Sequence, residues 1–439
     1  MTKVLILCYF FPPANLAASR RLHSWAMYLY DSGIYPIIIT RSWNVSFSNA
    51  YELLQPDTRQ IIHRKYDQYE VYYMPYRGSL RDRLLTRYGP DRLVLLRRSL
   101  TFLEHFMQNF TLRFLPYYNL YQQAQKVLRS DPSIRLIVAS AMPFSLFGMC
   151  HRLSRKFKIP WVADYRDDWN TTSWKTNYSE QSFLRGALSL PERILKFFEK
   201  RSERRWLSSA VLFTSVSRYY VWKISNFILR PGKVVYNGYE DLSAASEPVP
   251  FDGELRITYS GNLYFTQDIS VFAQGLSLFL HQQRDARIAL QFIGTGYDPK
   301  QVARLEGLFG SMPVRLLITP WLSDEEARRY LAGSHVLLAV ANAGFKGAIS
   351  SKAFVYLSYK KPILLCPSDN DELEALLLPS GLATKAQTPQ QAAAFLQQCM
   401  NCLNQGLSIA SAANEAFIAQ FSREQQAKKM GAILNSVLA

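Results

Sequence analysis

The 439-residue sequence contains no uninterrupted apolar run of about 18 residues, so no stretch reads as a membrane-spanning helix. Cysteine is scarce. Cys8, Cys150, Cys366, Cys399 and Cys402 are an odd number, and most fall in stretches that read as strand or helix. That usage excludes a disulfide framework and suits a reducing compartment. Cys399-Met-Asn-Cys402 has no second pair beside it, so it carries no zinc or redox signature. The six histidines form no metal-binding pattern. No G-x-G-x-x-G is present, which leaves a nicotinamide cofactor without support. Low-complexity tracts are missing too. The opening Met1-Thr-Lys-Val-Leu-Ile-Leu-Cys-Tyr-Phe10 has one charge and no small-residue cleavage site before Phe11-Pro12-Pro13. It reads as a first buried strand rather than a signal peptide.

Apolar residues and positive charge are plentiful. The chain is 48% hydrophobic and long enough for two or three domains. Its net charge of +17 is uneven. Residues 1–250 hold 35 Lys+Arg against 19 Asp+Glu, whereas residues 251–439 hold 16 against 15. A basic first half suits a phosphate-rich surface, either membrane or nucleic acid.

Val4 to Tyr9 reads as a strand, followed by a loop to Arg21 and a helix with Leu22, Trp25, Ala26 and Leu29 on one face. Gly33 is a helix-ending signal, and Tyr35 to Thr40 is the next strand. Strand, helix and strand joined by short loops predict an α/β, doubly wound parallel sheet. Ligands bind such sheets at the carboxyl ends of the strands, which places Pro13 to Arg21 at a crevice. Ile134 to Ser140, Pro160 to Asp164 and Ala210 to Ser215 are further strands. The second of these strands ends in Asp164-Tyr-Arg166-Asp167-Asp168-Trp169, which reads either as an internal ion-pair knot or as a ligand-binding edge. Arg81 to Phe114 interleaves arginines with large apolar residues and is broken at Gly89-Pro90. It reads as helices packed on the sheet with a solvated basic face, or as a segment lying on an anionic bilayer.

Asp241 to Asp252, rich in Ser, Ala, Pro and acid, is the expected linker, and the alternation restarts beyond it. Arg256 to Ser260 ends in the turn Gly261-Asn262-Leu263-Tyr264, and Ile288 to Ile293 in Gly294-Thr-Gly296. Val314 to Ile318 leads to Pro320-Trp321 and a helix capped by Ser323. The stretch from Gly344 to Lys352 is a Gly-, Ser- and Lys-bearing loop entering a helix. Helix N-termini expose unpaired N–H groups to anions, and Lys352 adds a full charge there. A solvated lysine in an ordinary loop-helix-strand unit is the alternative. Asn414 to Ala439 repeats apolar residues at helical spacing.

Five segments in order resemble the family-4-like retaining nucleotide-sugar glycosyltransferases. They are Phe11-Pro12-Pro13, Asp164-Tyr-Arg166-Asp167, Asn237-Gly238-Tyr239, Gly261-Asn262-Leu263-Tyr264, and Lys352-Ala-Phe354-Val355-Tyr356-Leu357 with Lys361-Pro362-Ile363-Leu364. The resemblance implies a GT-B architecture, two Rossmann-like domains facing a central cleft. Residues 1–245 would be a basic acceptor domain with a helical insertion at about 80–130, residues 252–415 the donor domain, and 416–439 a helix crossing back. It further implies transfer of a hexosyl or N-acetylhexosaminyl group from a nucleotide-diphosphate sugar, with retention and without a metal or other cofactor. The acceptor would be a hydroxyl of a lipid-linked or cell-surface polysaccharide. The enzyme would be cytoplasmic, on the inner face of the plasma membrane, with anionic lipid and not nucleic acid as partner.

On the same resemblance, Asp164, Arg166, Asp167 and Lys352 are catalytic candidates. Gly261, Asn262, Tyr264, Gly294, Gly296, Trp321, Ser350, Ser351, Lys352 and Phe354 are donor-binding candidates. Asn15, Ser19, Arg20 and Ser140 are acceptor-binding candidates. The sequence departs from the pattern in three places. Val355 stands where the group carries a ribose-binding glutamate, and Gly347 where its first motif acid falls. Phe265-Thr-Gln-Asp268 follows the glycine turn where many members place Arg and Lys for the diphosphate. Those losses motivate an alternative, a degenerate GT-B protein acting as a membrane-associated scaffold. A sugar-nucleotide epimerase is a third reading and a nucleic-acid binder a fourth.

Overall fold

The computed structural model describes residues 1–14, 16–43, 54, 58–171, 188–240, 252–407, 409 and 412–439. The chain divides into two compact units, Met1–Tyr236 with Glu424–Ala439, and Asn237–Arg423.

The first unit begins with β1 (Thr2–Cys8), α1 (Ala17–Tyr28), β2 (Ile34–Arg41), β3 (Ile62–Lys65) and β4 (Glu70–Met74). Three helices follow, α2 (Leu80–Tyr88), α3 (Val94–Met107) and α4 (Tyr118–Ser130). Then come β5 (Ile134–Ala141), α5 (Ser145–Phe157), β6 (Trp161–Tyr165), α6 (Leu190–Leu207), β7 (Leu212–Ser215), α7 (Arg218–Ile228) and β8 (Gly232–Val234). The eight strands lie in the order β3-β4-β2-β1-β5-β6-β7-β8. Every pair is parallel except β3 with β4.

The uninterrupted apolar runs explain the burial of this sheet on both faces. Val4 and Ile6 of β1 join Leu22 and Trp25 of α1 and Leu29 just after it, while Leu5 and Leu7 join Leu120 of α4 and Phe147 and Leu153 of α5. Strand order reverses at β1, between β2 and β5, so the crevice of this sheet opens at the carboxyl ends of β1 and β5. One expectation is corrected. Within residues 81–114, α2 buries only Asp82 and α3 has no buried residue at all, while the helix that packs on the sheet is α4, beyond that stretch.

The second unit holds β9 (Glu254–Ser260), α8 (Ser270–Gln282), β10 (Arg287–Ile293), α9 (Pro299–Phe309), β11 (Arg315–Ile318), α10 (Asp324–Ala332) and β12 (Val336–Ala339). It continues with α11 (Ser351–Ser358), β13 (Ile363–Leu365), α12 (Glu372–Leu377), β14 (Ala383–Lys385), α13 (Pro389–Asn404) and α14 (Glu415–Ala419). Its six strands run β11-β10-β9-β12-β13-β14, all parallel, with the order reversing between β9 and β12. Ser323 and Glu326 form the capping box that starts α10. The last helix, α15 (Arg423–Leu438), returns to the first unit, where Ala427, Met430 and Leu434 complete the layer over α1. All five cysteines are free thiols.

Candidate functional site

In the second unit, the turn after β9 and the helix after β12 meet at the point where strand order reverses. Gly261 leaves β9 with φ +86° and donates its N–H to Ile293 O at 2.7 Å. A Cβ on Gly261 would lie 3.7 Å from Lys352 Nζ, so the small residue lets the lysine lie against the turn. Gly294 leaves β10 with φ +81°, and its own Cβ position is 3.8 Å from Gly261 Cα. Thr295 Oγ1 ties the two turns by donating to Gly261 O at 3.0 Å. Gly296 serves packing instead, since a Cβ there would press to 2.8 Å from Thr319 O.

Ser350 caps α11 by accepting the Lys352 N–H at 3.2 Å, and Ser351 begins the helix. Lys352 Nζ donates to Tyr259 Oη at 2.5 Å and to Asn262 O at 3.0 Å, and it lies 3.9 Å from the Tyr259 ring centroid. An ammonium has three donors, and these partners are neutral. Burial without a countercharge pushes the Lys352 pKa down to about 7. Burial also holds the Tyr259 phenol well above its usual range, so it stays protonated beside the lysine.

Gln267 sits in the segment that replaces the expected basic residues, and it is a structural hub. Its Oε1 accepts from Tyr259 Oη at 2.9 Å and from the Tyr264 N–H at 3.0 Å, and its Nε2 donates to Val340 O at 2.7 Å. A cation does reach this loop, from the next helix. Arg304 of α9 donates to Gln267 O at 2.8 Å and to Tyr264 O at 3.5 Å. Arg304 lies outside every motif, which is why sequence reading misses it.

Trp321 and Tyr264 are both exposed at the surface of this unit. Phe354 is corrected. It is fully buried and packs against Phe421 at 5.9 Å, because it lies on the inward face of α11 and cannot meet a ligand. Gly347, with φ +79°, donates its N–H to Asp371 Oδ2 at 2.7 Å. A carboxylate from the loop before α12 thus stands beside the position where the motif acid is missing.

In the first unit the Asp-Arg alternation resolves into two different environments. Asp164 ends β6 fully enclosed, at 0% exposure. Arg21 Nη2 donates to it at 2.8 Å and Nε at 3.3 Å, Ser140 Oγ at 2.8 Å and Thr214 Oγ1 at 2.7 Å. Arg21 Nη1 also donates to Val235 O and Tyr236 O, at 2.9 and 2.7 Å. The knot fastens β5, β6, β7 and α1 together. Asp164 and Ser140, expected to face substrate, are corrected on this point, because their oxygens are buried and engaged inside the knot. Ser19 is corrected on the same ground, since it is fully buried. Arg20 is partly exposed, and Asn15 lies outside the described residues.

Arg166 and Asp167 differ from that knot. The Arg166 side chain is 17% exposed and Asp167 56%, with Nη2 and Oδ2 3.9 Å apart. Among the described residues the Arg166 guanidinium makes no hydrogen bond, and its ring contact is Phe10 at 5.9 Å. Desolvation lowers its pKa from the ordinary arginine value. Asp168 accepts from Lys223 Nζ at 3.2 Å and from the Thr171 N–H at 3.1 Å.

An aromatic cluster that sequence reading missed borders Arg166. Phe10 stacks on Trp43 at 5.2 Å, and Trp43 Nε1 donates to Tyr9 O at 2.9 Å. The Arg41 guanidinium is sandwiched between Trp43, at 4.0 Å, and Tyr76, at 3.7 Å. Its signal is spread over the exits of β1, β2 and β4, with no local spacing to reveal it.

No protein-family model matches the chain, and no curated protein matches it. Solved structures do. The chain is similar to a sucrose-phosphate synthase from Thermosynechococcus elongatus, with a TM-score of 0.63 at 13% identity, covering 100% of this chain and 99% of that one. It has the GT-B fold. A UDP-forming α,α-trehalose-phosphate synthase from Burkholderia xenovorans, solved with glucose-6-phosphate, gives 0.64 at 12% identity over 98% and 100% of the two chains. HepE from Anabaena, solved with UDP-glucose, gives 0.55 at 13% identity over 99% and 100%.

Proposed function

We propose that this GT-B chain is a glycosyltransferase that moves a sugar from a nucleoside diphosphate to an acceptor hydroxyl. The observation that carries the reading is Lys352 at the N-terminus of α11, held over the paired glycine turns of Gly261 and Gly294. That arrangement offers a lysine amine, first-turn N–H groups and close backbone approach, which together suit a diphosphate. In the transfer, the bond from the anomeric carbon to the diphosphate oxygen breaks, a bond to the acceptor oxygen forms, and the acceptor's hydroxyl proton passes to the departing diphosphate. Negative charge grows on the departing diphosphate, and protonated Lys352 with the α11 amides stabilises it. Arg304 adds positive potential at the Tyr264 loop, and exposed Trp321 offers a face for the base.

The Arg166, Asp167 and Phe10 group of the first unit is the acceptor side in this reading. An aromatic face suits a sugar ring, and among the described residues Arg166 has unused donors for hydroxyl or anionic oxygens. The neighbour solved with UDP-glucose supports UDP as the first base to test, and those acting on sugar phosphates support a saccharide acceptor. Retention, a lipid-linked polysaccharide acceptor and independence from metal follow the motif resemblance.

The test is a thermal-shift panel of UDP, GDP, dTDP, CDP and CMP, followed by release of the responding nucleotide from its sugar conjugates. A ligand at a hundredfold excess over its Kd adds about 2.7 kcal/mol to stability. One responding nucleotide, with turnover lost in Lys352→Ala, is the expected result. No response to any nucleotide would turn the reading to a GT-B scaffold without transfer.

A further inference from the structure

Helix α3 is unusual among the described helices of the first unit, because none of its fourteen residues is buried. Its apolar side chains nonetheless dominate one surface, with Leu95 at 78% exposure and Leu103 at 51%. The first half of α6 continues that surface. Leu190, Ile194 and Phe197 recur at spacings of four and three, which aligns them on one stripe, and all three are exposed. Phe106 of α3 meets Phe198 of α6 at 5.0 Å between ring centroids, and Phe110 meets the same ring at 5.4 Å. The two helices therefore present one joined apolar face. Faces of this kind mark interaction sites rather than ordinary solvent surface.

The acids of the two helices are held in local contacts, while several of their cations turn outward. Glu199 and Glu203 of α6 point inward, where Glu203 accepts from Tyr165 Oη and Asn170 Nδ2, each at 2.8 Å. Glu104 of α3 lies 3.9 Å from Arg81, and Glu192 closes the α6 cap by accepting the Ser189 N–H. Arg98, Arg193, Lys200 and Arg201 point into solvent. An exposed apolar stripe rimmed by outward cations complements acyl chains beneath anionic headgroups.

We propose that the α3–α6 face docks on an anionic lipid bilayer. A second copy of the chain fits less well, because a two-fold pairing would set each cationic rim against itself. A nucleic acid would use the cations but leave the exposed leucines and isoleucine without partners. No described helix is long and apolar enough to cross a membrane, so the contact is a surface one. Docking at this face requires nothing of the Lys352 site, and an assay without nucleotide tests it alone.

The experiment is flotation of the full chain with vesicles of phosphatidylcholine, with and without phosphatidylglycerol, across a salt series. Binding should appear only with the anionic lipid and weaken as salt rises. Arg98→Gln and Arg193→Gln should each lower partitioning about fivefold. Leu95→Asp with Phe197→Asp should abolish flotation while leaving the melting temperature unchanged, since both positions are solvated. Four outcomes would overturn the proposal: no flotation with either vesicle, equal flotation with both, undiminished flotation of the Asp variant, or a dimer in sedimentation that the Asp variant dissolves.

Discussion

At the residue scale, two neighbouring positions of one motif have opposite characters, and mutation should separate them. Asp164→Asn leaves Arg21 buried against a neutral amide, and breaking a buried pair costs about 3–5 kcal/mol. Chemical denaturation should show that loss directly. Arg166→Ala removes a side chain that makes no hydrogen bond among the described residues, so the denaturation midpoint should hold while acceptor KM rises. Lys352 makes a pH-dependent prediction. Its ligand-free pKa of about 7 means that above neutrality the amine is largely uncharged, whereas a bound diphosphate favours the ammonium. Nucleotide affinity should therefore fall as pH rises above 7, with proton uptake on binding at pH 8 visible by calorimetry in buffers of different ionisation enthalpy. Stability without ligand should run the other way. The folded pKa lies below the unfolded lysine value, so the unfolded chain holds more protons between those two values and the folded state gains as pH rises through that window. Lys361, pushed down to about 8 by burial, contributes in the same sense.

At the element scale, glycines distinguish crowded from open helix surfaces. A Cβ on Gly275 of α8 would meet Ala392 Cβ of α13 at 2.5 Å, so Gly275→Ala should cost about 1–3 kcal/mol through overpacking. Gly307 of α9 has nothing within 4 Å of that position, so Gly307→Ala should stabilise by about 1 kcal/mol through helix propensity. Opposite shifts in melting temperature would verify both. The strands were legible because runs such as Val4-Leu5-Ile6-Leu7 encode burial on both faces of a parallel sheet. The start of α11 was legible because Ser350 and Lys352 lie two residues apart in sequence. The interior of the Asp164 knot was not, since Arg21 lies 143 residues away and no local pattern marks such a pairing. Phe354 misled because a motif position does not give the helix phase. The exposed face of α3 was half legible. Its apolar spacing showed an amphipathic helix, but amphipathicity does not say whether anything covers it.

At the scale of the whole molecule, each unit has its own apolar cores. Scanning calorimetry should resolve two transitions, of which a bound nucleotide raises only the one belonging to Asn237–Arg423. Met430→Ala, in the fully buried layer over α1, should lower the other by about 2–5 kcal/mol. The same layer bears on biosynthesis. Residues 424–439 leave the ribosome after the entire second unit, yet they complete the hydrophobic face of a sheet that begins at Thr2. During translation, Trp25 and Leu29 must wait with part of their covering absent while some two hundred residues are added. The first unit thus finishes folding after the second has been made, which leaves its α1 surface to chaperones during that interval.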